Sequence, residues 1–75
     1  MNHPKTDSIL AVLNAHGRVV LCMNRASGFT QITITKSKGR YIIGTVPGAR
    51  LVQSSLAGVT LTLESNRMFI EAWKA

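Results

Sequence analysis

The sequence predicts an α+β fold: an N-terminal helix packed on a mainly antiparallel sheet of about five strands, arranged as a meander. Three observations predict it. Apolar residues recur at helical spacing once, near the N-terminus, and at a spacing of two thereafter. Short clusters of Gly, Pro, Asn, Ser and Lys separate the later apolar runs at distances that suit consecutive hairpins. The chain has 75 residues, 45% of them apolar and 16% charged, which is too apolar for a disordered polymer and too short for two domains. Residues 1–75 are therefore one domain, with 1–6 expected as a flexible tail.

The helix is expected over Asp7–His16. Thr6 or Asp7 can accept the free amides of its first turn, and Asp7 complements the positive end of its dipole. Ile9, Leu10, Val12, Leu13 and His16 form one face, and Gly17 supplies a left-handed stop. The other face, Ser8, Ala11, Asn14 and Ala15, carries no charge, and such a face suits close approach by a partner or a second subunit.

Arg18–Asn24 is almost wholly apolar and reads as a central strand. Asn24–Gly28 is a turn. Phe29–Lys36 alternates, with Ile32 and Ile34 on one side and Gln31, Thr33 and Thr35 on the other. Lys36–Arg40 turns the chain into Tyr41–Val46. Pro47-Gly48 fits a type II turn. Ala49–Ala57 fits either a loop or a short helix. Val59–Glu64 alternates as a strand, with Val59, Leu61 and Leu63 inward. Met68–Lys74 reads as the last strand, although Met68/Ala72 and Phe69/Trp73 are i, i+4 pairs that would also suit a helix.

Nine Lys or Arg against three Asp or Glu give a formal charge of +6. The excess maps onto turns: Lys36, Lys38 and Arg40 crowd one, and Arg25, Arg50 and Arg67 sit in others. These six are the candidate nucleic-acid contacts, because cations that neutralise phosphates release counterions and gain sequence-independent affinity. The N-terminal helix has no base on its outer face, which argues against a major-groove recognition helix. If any helix read bases it would be Ala49–Ala57, through Arg50, Gln53 and Ser54. Lys38–Ile43 lacks the alternating aromatics of an RRM strand. Phe29, Phe69 and Trp73 are available for stacking or for an interface.

Catalytic signatures are missing. Gly39–Gly44 has the glycine spacing of a P-loop, but Thr45-Val46 follows where Lys-Ser/Thr is required. Cys22, mid-strand among apolar neighbours, reads as an inert thiol, and no His/Cys/carboxylate spacing suggests a metal or a cofactor. The longest apolar run, Val19–Met23, falls far short of the ~20 residues of a membrane span, and a single cysteine suits a reducing cytoplasm. The sequence thus predicts a non-catalytic, cytoplasmic nucleic-acid-binding regulator without cofactor or metal, acting as a homodimer. The competing expectation is an inhibitor or adaptor that docks an acidic protein surface or another partner, with Ala11, Asn14, Ala15, Phe69 and Trp73 as the interface.

Overall fold

Helix α1 spans Pro4–His16, and it starts earlier than expected because proline at the first turn has no N–H to leave unsatisfied. Residues 4–6 are therefore helical rather than tail. In this computed structural model the described residues are 4–25, 28–45, 50–53 and 55–75. The interior of the Asn24–Gly28 turn, the Pro47-Gly48 turn, His3 and Ser54 lie outside them. Thr6, Ile9 and Leu13 are the buried positions of α1, a stripe at i, i+3 and i+7. Thr6 is thus a core residue rather than a cap, and His16 is exposed. Gly17 ends the helix with φ +72°, and its N–H donates to the Leu13 carbonyl at 2.8 Å.

Four strands follow as a meander: β1 (Arg18–Arg25), β2 (Gly28–Ser37), β3 (Arg40–Thr45) and β4 (Arg50–Gln53). Helix α2 (Leu56–Asn66) then returns the chain to β5 (Ile70–Lys74). The five-stranded sheet has the order β4-β3-β2-β1-β5, so β5 adds beside β1 at the far edge instead of continuing the meander. All four pairings are antiparallel, which leaves β5 running in the same direction as β4. The β1–β5 register slips between Cys22 and Met23. Beyond the slip, the Asn24 N–H donates to the Phe69 carbonyl at 2.8 Å.

Both helices cover one face. Val19, Leu21, Met23, Ile32, Ile34, Ile43 and Ile70 from the sheet share a single buried cluster with Ile9 and Leu13 of α1 and Val59 and Leu63 of α2. The register explains this membership: Val19 pairs with Ile34, Leu21 with Ile32 and Ile34 with Ile43, and paired residues share a face. Trp73 pairs with Leu21 and packs against the same cluster.

The strand expected over Val59–Glu64 is α2, and the fourth strand is Arg50–Gln53 instead. Alternation would bury Leu61 with Val59 and Leu63, but Leu61 is 68% exposed while the other two are at most 1% exposed. Val59 and Leu63 satisfy the core at i, i+4. Ser55 caps the helix by accepting the Gly58 N–H at 3.4 Å. Thr60, Thr62 and Ser65 donate back to the carbonyls of Leu56, Gly58 and Leu61 at 2.8–3.0 Å, so β-prone hydroxyl residues are satisfied inside the helix. No basic residue of α2 lies in its last turn. The Lys5 ammonium from α1 serves that end in trans, donating to the Arg67 and Ile70 carbonyls at 3.1 and 2.8 Å.

The helix reading separates two leucines that a strand would make equivalent. Leu63→Ala should cost about 2–5 kcal/mol and Leu61→Ala no more than ~0.5 kcal/mol in urea unfolding. Equal losses at both positions would mean that the chain keeps the alternating pattern.

Candidate functional site

Side chains alternate across a strand, so the parity that sends Val19, Leu21 and Ile34 under the helices sends Arg18, Val20, Thr33 and Thr35 to the uncovered face. The register arranges that face in rows. Ser37 pairs with Arg40. Thr35 stands between Ile42 and Arg18, with Val52 beyond Ile42. Thr33 stands between Gly44 and Val20, with Lys74 beyond Val20 and the Arg50 position beyond Gly44. Arg18, Ser37, Arg40 and Lys74 are exposed, and Thr33, Thr35 and Ile42 are half-buried. With strands ~4.8 Å apart and same-face residues ~6.8 Å apart, the α-carbons of Arg18 and Lys74 stand about 8 Å apart, and those of Arg18 and Arg40 about 12 Å.

A shallow depression of about 380 Å³ sits on the corner of this face, lined by Ser37, Lys38, Arg40, Ile42 and Val52. Two cations and a hydroxyl thus surround a small apolar floor. Lys38 and Gly39 form the tip of the β2–β3 hairpin with φ +49° and +77°, between the paired Ser37 and Arg40. Positive φ at both central residues is the mark of a type I′ turn, which matches strand twist and favours Asn-Gly or Gly-Gly. Lysine in the left-handed region costs about 1–2 kcal/mol. A strained residue of this kind, at the mouth of a depression, points to a role for its side chain.

The carboxylates are elsewhere. Asp7 belongs to α1 on the helix side. Glu64 of α2 pairs with Arg67 at 3.5 Å. Glu71 accepts the Asn24 amide at 3.3 Å, at the end of β1 opposite Arg18. Of the three acids of the chain, Glu71 alone reaches the uncovered face, at the Asn24 end of β1 and away from Arg18, Lys38 and Arg40.

The six turn cations expected from the sequence do not form one cluster. Lys38 and Arg40 share the depression. Lys36 pairs with Tyr41 and lines a cleft with Asp7 on the helix side, because it shares the parity of Ile32 and Ile34 on β2. Arg67 is joined to Glu64. Arg25 ends β1 and Arg50 starts β4, and their side chains, like that of Phe29, lie outside the described part. Arg50 and Gln53 are on a strand, so the base-reading helix over 49–57 is not formed. Arg18 and Lys74 join the face although sequence reading passed over them. The available signal was their parity with Val20 and Cys22, legible only once β5 is known to pair with β1.

Of the expected interface residues, Ala11, Asn14 and Ala15 are exposed on α1, and Ala11 and Asn14 line the helix-side cleft. Trp73 is half-buried against the core, and Phe69 is 42% exposed. Among the described residues no three His, Cys, Asp or Glu converge to hold a metal, and no helix is long and apolar enough to cross a membrane. The chain matches no protein-family model, no curated protein and no solved structure.

If the turn strain at Lys38 is retained for its charge, Lys38→Asn should raise stability by about 0.5–1 kcal/mol, several degrees in the melting midpoint of a domain this size. A lowered midpoint would show instead that the lysine itself holds the turn.

Proposed function

We propose that this protein is a small, non-catalytic nucleic-acid-binding regulator that grips phosphate with the uncovered sheet face. The observation that carries the reading is the gathering of Arg18, Arg40 and Lys74, with Lys38 at the hairpin tip, on one face whose acid, Glu71, is held by Asn24 at the far end of β1. Guanidinium groups and the lysine ammoniums bind phosphate oxygens strongly, and the hydroxyls of Ser37, Thr33 and Thr35 add hydrogen bonds. The described part of the face offers no aromatic ring for base stacking, so affinity comes from the backbone of the nucleic acid rather than its sequence. The reading places the protein in the cytoplasm, where Cys22 stays a thiol.

Four phosphate contacts on a duplex predict a slope of log affinity against log salt of about −3 to −4. Replacing Arg18, Lys38, Arg40 or Lys74 by Ala should weaken binding uniformly across sequences and lower that slope by about one each. Lys36→Ala and Arg67→Ala should change it little. Binding that is indifferent to salt, or lost equally in all six variants, would sink the proposal.

A second reading rests on a different observation. Met68 is 87% exposed and Phe69 42% at the corner between α2 and β5, and Leu61 is 68% exposed about two helical turns earlier. Apolar side chains this exposed suit a protein contact. The partner would be either a second copy of this chain, as a small domain gains most from shared burial, or a protein that this one inhibits or adapts. Sedimentation of the purified chain separates these: a dimer that Met68→Glu dissociates supports self-association, and a persistent 8.1 kDa species excludes it.

A further inference from the structure

The helix side of the sheet holds a second hollow. α1 packs on β1, β2 and β5, and α2 reaches β4. Between them a cleft of about 290 Å³ opens over β3. Its apolar wall comes from Leu10, Leu13 and Leu56, and its polar groups are Asp7 and Asn14 of α1, Lys36 of β2 and Tyr41 of β3. On α1 residues 7, 10, 11 and 14 form one stripe with Leu13 beside it, Leu56 begins α2, and Lys36 and Tyr41 are a register pair, so rigid elements hold every group.

The two charges in this cleft, Asp7 and Lys36, are solvent-exposed. Glu64 has Arg67 and Glu71 has Asn24, but the Asp7 carboxylate has no hydrogen bond or ion pair among the described residues. The Lys36 ammonium has none either. An acid and a base thus line the same hollow without closing on each other, although no other charge lies between them. A ligand with a negative group alone would meet Asp7 unfavourably, and one with a positive group alone would meet Lys36. A ligand carrying both, joined to an apolar body, satisfies the two charges and the leucine wall together. The volume is at the small end of ligand cavities, below what a nucleotide fills.

We propose that this cleft binds an apolar α-amino acid, its ammonium on Asp7, its carboxylate on Lys36 and its side chain against Leu10, Leu13 and Leu56. Asn14 and the Tyr41 hydroxyl supply further hydrogen bonds at the rim. The site is on the opposite side of the sheet from the phosphate-binding face and stands whether or not that reading holds.

Amide NMR of the full chain, titrated with L-leucine, tests it. The expected result is a saturable shift confined to amides around the cleft, notably Ala11, Asn14, Tyr41 and Leu56. 3-Methylbutylamine and 4-methylpentanoate, which each keep one charge, should bind roughly five- to tenfold more weakly, and L-serine, which lacks the apolar body, should do the same. Asp7→Asn should weaken leucine by a similar factor without weakening 4-methylpentanoate, and Lys36→Gln should do so without weakening the amine. The analogue series is read on the native chain, so it decides the matter even if a variant misfolds. No shift at ~10 mM leucine, or a single-charge analogue or serine equalling leucine, would overturn the assignment.

Discussion

The connection from β4 to β5 is the constraint on which the rest of the architecture depends. The two strands run in the same direction at opposite edges of the sheet, so no hairpin can join them, and strands of the same sense need a long crossover, usually a helix. The distance is about four strand spacings, ~19 Å, and an 11-residue helix supplies ~16 Å of it. The crossover must pass over one face. It passes over the face that α1 already covers, so the core is one layer between sheet and helices and the opposite face is left to solvent.

That one-sided cover sorts the charges. A residue of one parity on β1, β2, β3 or β5 is buried with Ile9, Leu13, Val59 and Leu63, and a residue of the other parity is presented on the open face. Lys36 and Arg40 are close in sequence and sit on opposite sides of the sheet for this reason alone. Arg18 and Lys74, 56 positions apart in the chain, become neighbours because Val20 pairs with Lys74. Asp7 and Glu64 follow the helices and Glu71 is held by Asn24 at the far end of β1, so the excess of base is concentrated at the Arg18 and Arg40 corner of the open face. The same cover is incomplete over β3, and the cleft holding Asp7 and Lys36 is the gap that two short helices leave.

The α+β class, the N-terminal helix, its glycine stop, the first three strands and the last strand were legible, because each rests on local periodicity and turn chemistry. The stretch Val59–Glu64 was misleading for a physical reason. Val, Thr and Leu in alternation satisfy a strand, but Val59 and Leu63 are also four apart, and the decision between the two belongs to the crossover and to a cap at Ser55. The candidate site was half legible: Lys38 and Arg40 could be named from their crowded turn, whereas Lys36 and Arg67 could not be excluded, nor Arg18 and Lys74 included, without the register.

By itself the sequence determined where the chain turns, which residues are apolar enough to bury and that the protein is strongly basic, since all of these depend on a residue and its near neighbours. Only the tertiary structure decided that 56–66 is a helix, that β5 returns to β1, and which cations share a face. Those outcomes depend on pairings across tens of residues, and moving a strand by a single position exchanges its two faces.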